Sequence, residues 1–180
     1  MLLEFLFALA WKLPLAFIGL SLMEWAIHKY LLHGRWVYKH IPFLRFIYRW
    51  HAIEHHGQGL KQNYPHINLS LIDYWFAWSI AGFGLWRFFL FGYVEGLAGA
   101  VAVISMSLGH MFFWNALHHS IHELGKPNWI TKLPWFSAFA THHLNHHKDV
   151  RTNFGVVCIW IDFHLGTLYR QTKAKRMNES

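Results

Sequence analysis

Twelve of the 16 histidines in this 180-residue chain fall into four groups. They are His28 with His33; His51 with His55 and His56; His118, His119 and His122; and His142, His143, His146 and His147. Residues three or four apart share a face of a helix. His51 with His55, His118 with His122, and His143 with His146 and His147 therefore each present imidazoles in one direction. His28 and His33 are five apart, which is about 140° around an ideal helix. Either they flank a site from two sides, or the last turn unwinds ahead of Gly34. Neutral imidazole is a good ligand for iron, zinc, copper and nickel. A mononuclear site takes about four to six ligands. Ten convergent histidines with no cysteine among them suit a binuclear site better. The expected ligands are His28, His33, His51, His55, His56, His118, His122, His143, His146 and His147.

Other residues of these types have smaller parts. His119 and His142 read as spare imidazoles or as supports for the ligands. His40, His66, His110 and His164 read as ordinary surface residues at a membrane interface. Glu24 stands four residues before His28, so its carboxylate is placed to accept the second imidazole proton and fix the tautomer. Asn115, Glu54, Asp149 and Asp162 are weaker candidates for such support, each equally well read as a solvated or helix-capping group.

Long apolar runs must carry these groups. A bilayer core of about 30 Å takes about 20 apolar residues as a helix. Residues 5–27, 69–91 and 97–117 have that length. The first is broken only by Lys12, Pro14 and Glu24, and the third begins with small residues that let helices approach closely. Glu4 at the start argues against a signal peptide. The fold expected is an all-α integral membrane protein: about three transmembrane helices and a cytosolic histidine-rich helical cap, with residues 1–180 as a single membrane-embedded domain. If the spans alternate, all four histidine groups reach one side. Every Lys and Arg except Lys12 and Arg87 lies there too. The positive-inside rule makes that side cytoplasmic and puts the N-terminus outside. Residues 41–50 read as an interfacial segment and 154–168 as interfacial or re-entrant.

Composition excludes several classes. The net charge of +7 and pI near 9.7 suggest nucleic acid, yet the aromatic residues sit in apolar runs and topology accounts for the charge. No nucleic-acid partner is expected. Low charge with high hydrophobicity excludes disorder, the single Cys158 excludes an internal disulfide, and no G-x-S-x-G elbow points to hydrolysis.

The four groups, in this order, resemble the histidine boxes of the fatty acid hydroxylase and sterol desaturase superfamily, which are integral-membrane di-iron oxygenases. His28/His33 match H-x4-H, His51/His55/His56 match H-x3-HH, His118/His122 match H-x3-H, and His143/His146/His147 match H-x2-HH. Asn153-Phe154-Gly155 and Trp160 to Thr167 are similar to the family's closing N-F-G…W-D-x-L-F-G-T segment, with Ile161 inserted between Trp and Asp. The resemblance covers roughly residues 24–169. It implies two iron ions (zinc being possible in recombinant protein), O2, and a lipid substrate such as a fatty acyl chain, sphingolipid or sterol. It further implies a separate cytochrome or ferredoxin type electron donor, and hydroxylation ahead of desaturation. No catalytic residue beyond the ligands follows from it, and which of His51, His55 and His56 bind metal stays open. Trp75, Phe76, Trp78, Phe112, Phe113 and Trp114 are possible pocket walls or ordinary helix surface. Two other readings stand beside it: a carotenoid-type ring hydroxylase, and a histidine-rich membrane metal transporter. Transporters place their ligands near the bilayer midplane, whereas these histidines stand past the span ends.

Overall fold

The computed structural model describes residues 1–58, 93–123 and 127–170. Among these the chain is helical and has no strand. In chain order the α-helices are α1 (Leu2–Ala26), α2 (Arg35–His40), α3 (Arg45–Tyr48), α4 (His56–Gln58), α5 (Tyr93–His122), α6 (Phe136–Lys148) and α7 (Trp160–His164). Two π-helical turns, Ile27–Leu32 and Arg49–His55, follow α1 and α3 without a break. The chain divides into two compact units. One comprises Met1–Met23 and the described part of Lys61–Lys126; the other comprises the described parts of Glu24–Leu60 and Pro127–Ser180.

The first unit is built on α1 and α5. Leu3, Phe7, Leu15 and Ile18 of α1 are exposed, while Ala8 and Leu20 are buried, so the helix is apolar all round. A helix of that kind belongs in a protein core or in lipid. With its π-helical continuation it forms an apolar helix over Leu2–Leu32, and α5 provides a second over Gly96–His122; both are long and apolar enough to cross a membrane. These two contain the expected spans 5–27 and 97–117, and the expected span 69–91 lies outside the described residues. Gly96, Ala98, Gly99, Ala100 and Ala102 of α5 are buried. Their small size allows close approach: a Cβ on Gly99 would lie 4.0 Å from the Lys12 side chain. Phe17 meets His110 further along, with ring centroids 6.3 Å apart. The pairs 12–99 and 17–110 advance together, so α1 and α5 run in the same sense.

The second unit has its own apolar core of Ile47, Ile130, Phe136, Ala140, Phe154, Val156 and Ile161. Phe154 is only 2% exposed, a burial that stabilises the fold by roughly 2–3 kcal/mol. The π-helical turn Ile27–Leu32 closes with the His33 amide donating to the His28 carbonyl, five residues back, at 3.1 Å. Gly34 follows because a side chain there would collide with the Tyr30 carbonyl oxygen. Residues 154–168, expected as an apolar interfacial segment, fold as a hydrogen-bonded loop and the short helix α7. Phe154, Val156, Ile161 and Asp162 are buried within it, while Trp160 and Phe163 are exposed.

Candidate metal centre

His28, His33, His51, His56 and His146 each bring one ring nitrogen into a cluster whose atoms all lie within 4.8 Å of one another. The Nε2 atoms form a chain: His28 to His51 at 3.0 Å, His51 to His56 at 3.4 Å, His56 to His146 at 3.2 Å and His146 to His33 at 3.1 Å. A metal–nitrogen bond of about 2.1 Å puts neighbouring ligand nitrogens ~3.0 Å apart at right angles and ~3.4 Å apart in a tetrahedron. The observed separations fall in that interval, and the cluster can hold a metal ion.

The π-helical turns account for this convergence. Bonding from i to i+5 widens the turn, so residues five apart come onto one face. His28 and His33 consequently lie with ring centroids 5.1 Å apart in one cluster, on a last turn that stays helical but is wound more widely than an α-helix. The same geometry joins His51 to His56, five residues on, at 5.0 Å. His55 stacks on His51 at 5.2 Å but contributes to a different group.

That second group comprises His55, His143 and His147 of the same unit. His143 and His147 stand one turn apart on α6 with Nε2 atoms 3.1 Å apart. His56 of the first group stacks on His147 of the second, with centroids 4.2 Å apart. Sequence spacing placed His143, His146 and His147 in one direction; the structure divides them. At about 100° per residue, His146 points into the five-histidine cluster, and His143 with His147 forms the neighbouring stripe.

Burial keeps these rings neutral, the form that binds metal. His33 is pushed down from 6.5 to about 3 by burial and then by the neighbouring His146. His146 is lowered to about 4, burial outweighing its bond to the Thr152 carbonyl. His51 is held well below its ordinary value by burial, then by His28 and His33. His56 is driven down by burial and by the rings of His147 and His146. Two tautomers are fixed by the main chain. His28 Nδ1–H donates to the Phe154 carbonyl at 2.6 Å, and His146 Nδ1–H donates to the Thr152 carbonyl at 2.6 Å. A carbonyl can only accept, so each Nε2 turns a lone pair into the cluster.

The Phe154 carbonyl thus takes the place expected for Glu24. The Glu24 carboxylate accepts instead from the Val156 and Val157 amides, on the loop that carries that carbonyl. Asp162 lies at the centre of the loop. Burial alone would raise its carboxyl, but hydrogen bonds from His142, Thr167 and the Gly155 and Phe154 amides outweigh this and hold it below the usual range. His142 is buried, belongs to neither cluster, and donates through Nε2 to Asp162 at 3.0 Å. Sequence reasoning had no means of finding the Thr152 and Phe154 carbonyls, since main-chain oxygens leave no mark in residue type.

The remaining candidates are placed as follows. In the other unit, His118 and His122 lie at the end of α5 with centroids 4.6 Å apart, and Trp114 stacks on His118. His119 is exposed and pairs with Glu123 at 2.9 Å. The Asn115 side chain donates back along its own helix to the Met111 carbonyl. Phe112 and Phe113 are exposed, whereas Trp75, Phe76, Trp78 and His66 lie outside the described residues. His40 and His164 are exposed, and His110 is half-buried. Glu54 pairs with Arg49 and Asp149 with Arg151 at the surface. No protein-family model matches this chain, and no curated protein or solved structure matches it.

Proposed function

We propose that this chain is a membrane oxygenase whose two histidine groups hold two iron ions, and that it hydroxylates a C–H bond of a lipid. Desaturation of the same kind of substrate is the lesser variant. One observation carries the reading: two adjoining groups of buried and half-buried imidazoles, joined through His55–His56 and His146–His147, in a chain with two helices apolar enough to cross a membrane. Imidazole donors without thiolate suit iron, and iron bound there supplies the activation of O2. The net reaction, R–H + O2 + 2e⁻ + 2H⁺ → R–OH + H2O, draws its electrons from a separate carrier protein of the cytochrome or ferredoxin type.

The chain's own residues bind and orient. The π-helical turns and α6 aim the Nε2 atoms, the Thr152 and Phe154 carbonyls hold the Nδ1 protons of His146 and His28, and near-complete burial of His51, His143 and His146 keeps water from the rings. In this reading the histidines face the cytoplasm and the N-terminus is outside. Lipid extracts from cells with and without the gene test the reading. An O2-dependent new hydroxyl group or double bond supports it. Unchanged lipids with protein-dependent metal uptake would assign the histidines to transport instead.

A further inference from the structure

The carboxylate of Asp162 is fully buried, and its four acceptor positions are all used. Oδ1 accepts from the Phe154 amide at 2.9 Å and from the Thr167 hydroxyl at 2.6 Å. Oδ2 accepts from the Gly155 amide at 2.8 Å and from His142 Nε2 at 3.0 Å. Asp162 contributes no atom to either histidine cluster. It closes the loop whose Phe154 carbonyl meets His28 Nδ1. The loop has no slack at this point: a Cβ on Gly155 would come within 2.6 Å of the Cys158 carbonyl oxygen and 3.1 Å of Asp162 Oδ2. Asn153, the residue before Phe154 and in the left-handed region at φ 54°, donates through its side chain to the His142 carbonyl and accepts from the Tyr169 amide.

The carbonyl that meets His146 is anchored differently. Thr152 is held by its amide and hydroxyl, both donating to the Asp149 carbonyl at 3.0 and 2.8 Å. This turn makes no direct use of Asp162. The molecule therefore contains two carbonyl–imidazole pairs of the same 2.6 Å length, one whose carbonyl sits on amides bonded to Asp162 and one whose carbonyl turn is bonded to Asp149 instead.

We propose that Asp162 is a positioning residue for His28: by holding the Phe154 and Gly155 amides it aims the Phe154 carbonyl at Nδ1, and so selects the tautomer that presents the Nε2 lone pair to the cluster. Its consequence for metal affinity rests on the function proposed above; its consequence for the tautomer does not. Asp162→Asn is the direct test, because an amide nitrogen in place of either oxygen would leave the Gly155 or the Phe154 N–H with nothing to accept it.

The experiment uses the full chain in detergent, labelled with ¹⁵N-histidine, freed of metal by chelation, and read by long-range ¹H–¹⁵N correlation. His28→Ala and His146→Ala difference spectra assign the two rings. In the wild-type chain both should be Nδ1–H tautomers; an Nε2–H form at His28 overturns the proposal, with no variant's folding in question. In Asp162→Asn, His28 should shift toward Nε2–H while His146 stays as it was. Movement of both rings together marks a general loosening and overturns the proposal, as does movement of neither. Zinc titration gives the second readout, with affinity expected to fall about 10-fold or more; a fall without the His28 shift also overturns the proposal. If the wild type binds no zinc but the tautomer pattern holds, the positioning role stands and the proposed function fails.

Discussion

The two π-helical turns and helix α6 solve the same problem by different backbone geometry. Both aim pairs of imidazoles inward. On α6 the pair is four apart, His143 with His147, as ordinary α-helical winding requires. On the π-helical turns the pairs are five apart, His28 with His33 and His51 with His56. The spacing of a histidine pair is thus a readout of local winding, and the wider turn needs other support. Gly34 ends one π-helical turn where no side chain fits, and a loop carbonyl holds the His28 ring. On α6 the helix itself provides the register, and the Thr152 carbonyl holds the second nitrogen of His146.

Substitutions at glycine break this comparison most directly. Gly34→Ala should cost about 2 kcal/mol or more, since the added Cβ meets main chain rather than a flexible side chain. Gly19→Ala, with nothing within 4 Å of its Cβ, should be neutral or stabilise α1 by about 0.5–1 kcal/mol. Thermal melts of the two variants in one detergent give the contrast. Equal losses would mean that the turn after α1 does not depend on Gly34.

Acid should act on histidines from both regions. His146 and His33 titrate near 4 and 3 in the folded chain against 6.5 when free. Below 6.5 the unfolded chain therefore binds more protons than the folded one, and stability rises with pH there. The metal-free protein should keep its full stability above about pH 6.5 and lose it progressively as pH falls toward 4 and then 3. Melting temperatures over that range check the sign, and His33→Ala should make the loss shallower throughout it. A smaller effect is expected at the loop. Glu24→Gln keeps the shape but weakens the bonds from the Val156 and Val157 amides, so zinc affinity should fall by up to about 10-fold. The smallest effect belongs to His119→Ala: the ring is exposed and outside both clusters of its type, and stability should change by less than about 0.5 kcal/mol with metal content unchanged.

Periodicity and residue type made much of this legible. The apolar runs 5–27 and 97–117 lie in helices, because twenty apolar residues leave few other structures open to them. His143 and His147 stand one turn apart, where their spacing on a regular helix puts them. The pair His28 and His33 was ambiguous, because reading it required knowing that the turn is π-helical, and that depends on tertiary support rather than on propensity. The same cause hid the partition of His51, His55 and His56: winding decides that His56 joins His51 while His55 turns to His143 and His147. Glu24 was placed by its distance of four residues from His28, yet a loop distant in sequence brings a carbonyl to that ring first. Long-range main-chain contacts of this kind leave no periodic trace.

In the proposed function two separate groups of imidazoles each hold an ion. Metal content per chain, by elemental mass spectrometry of the purified full-length protein and two single variants, tests it most directly. The wild type should carry about two ions. His146→Ala should lose the ion of the five-histidine group and keep the other, and His143→Ala should do the reverse, each retaining about one. A wild-type chain that carries no metal, or single variants that each lose every ion, would contradict the account.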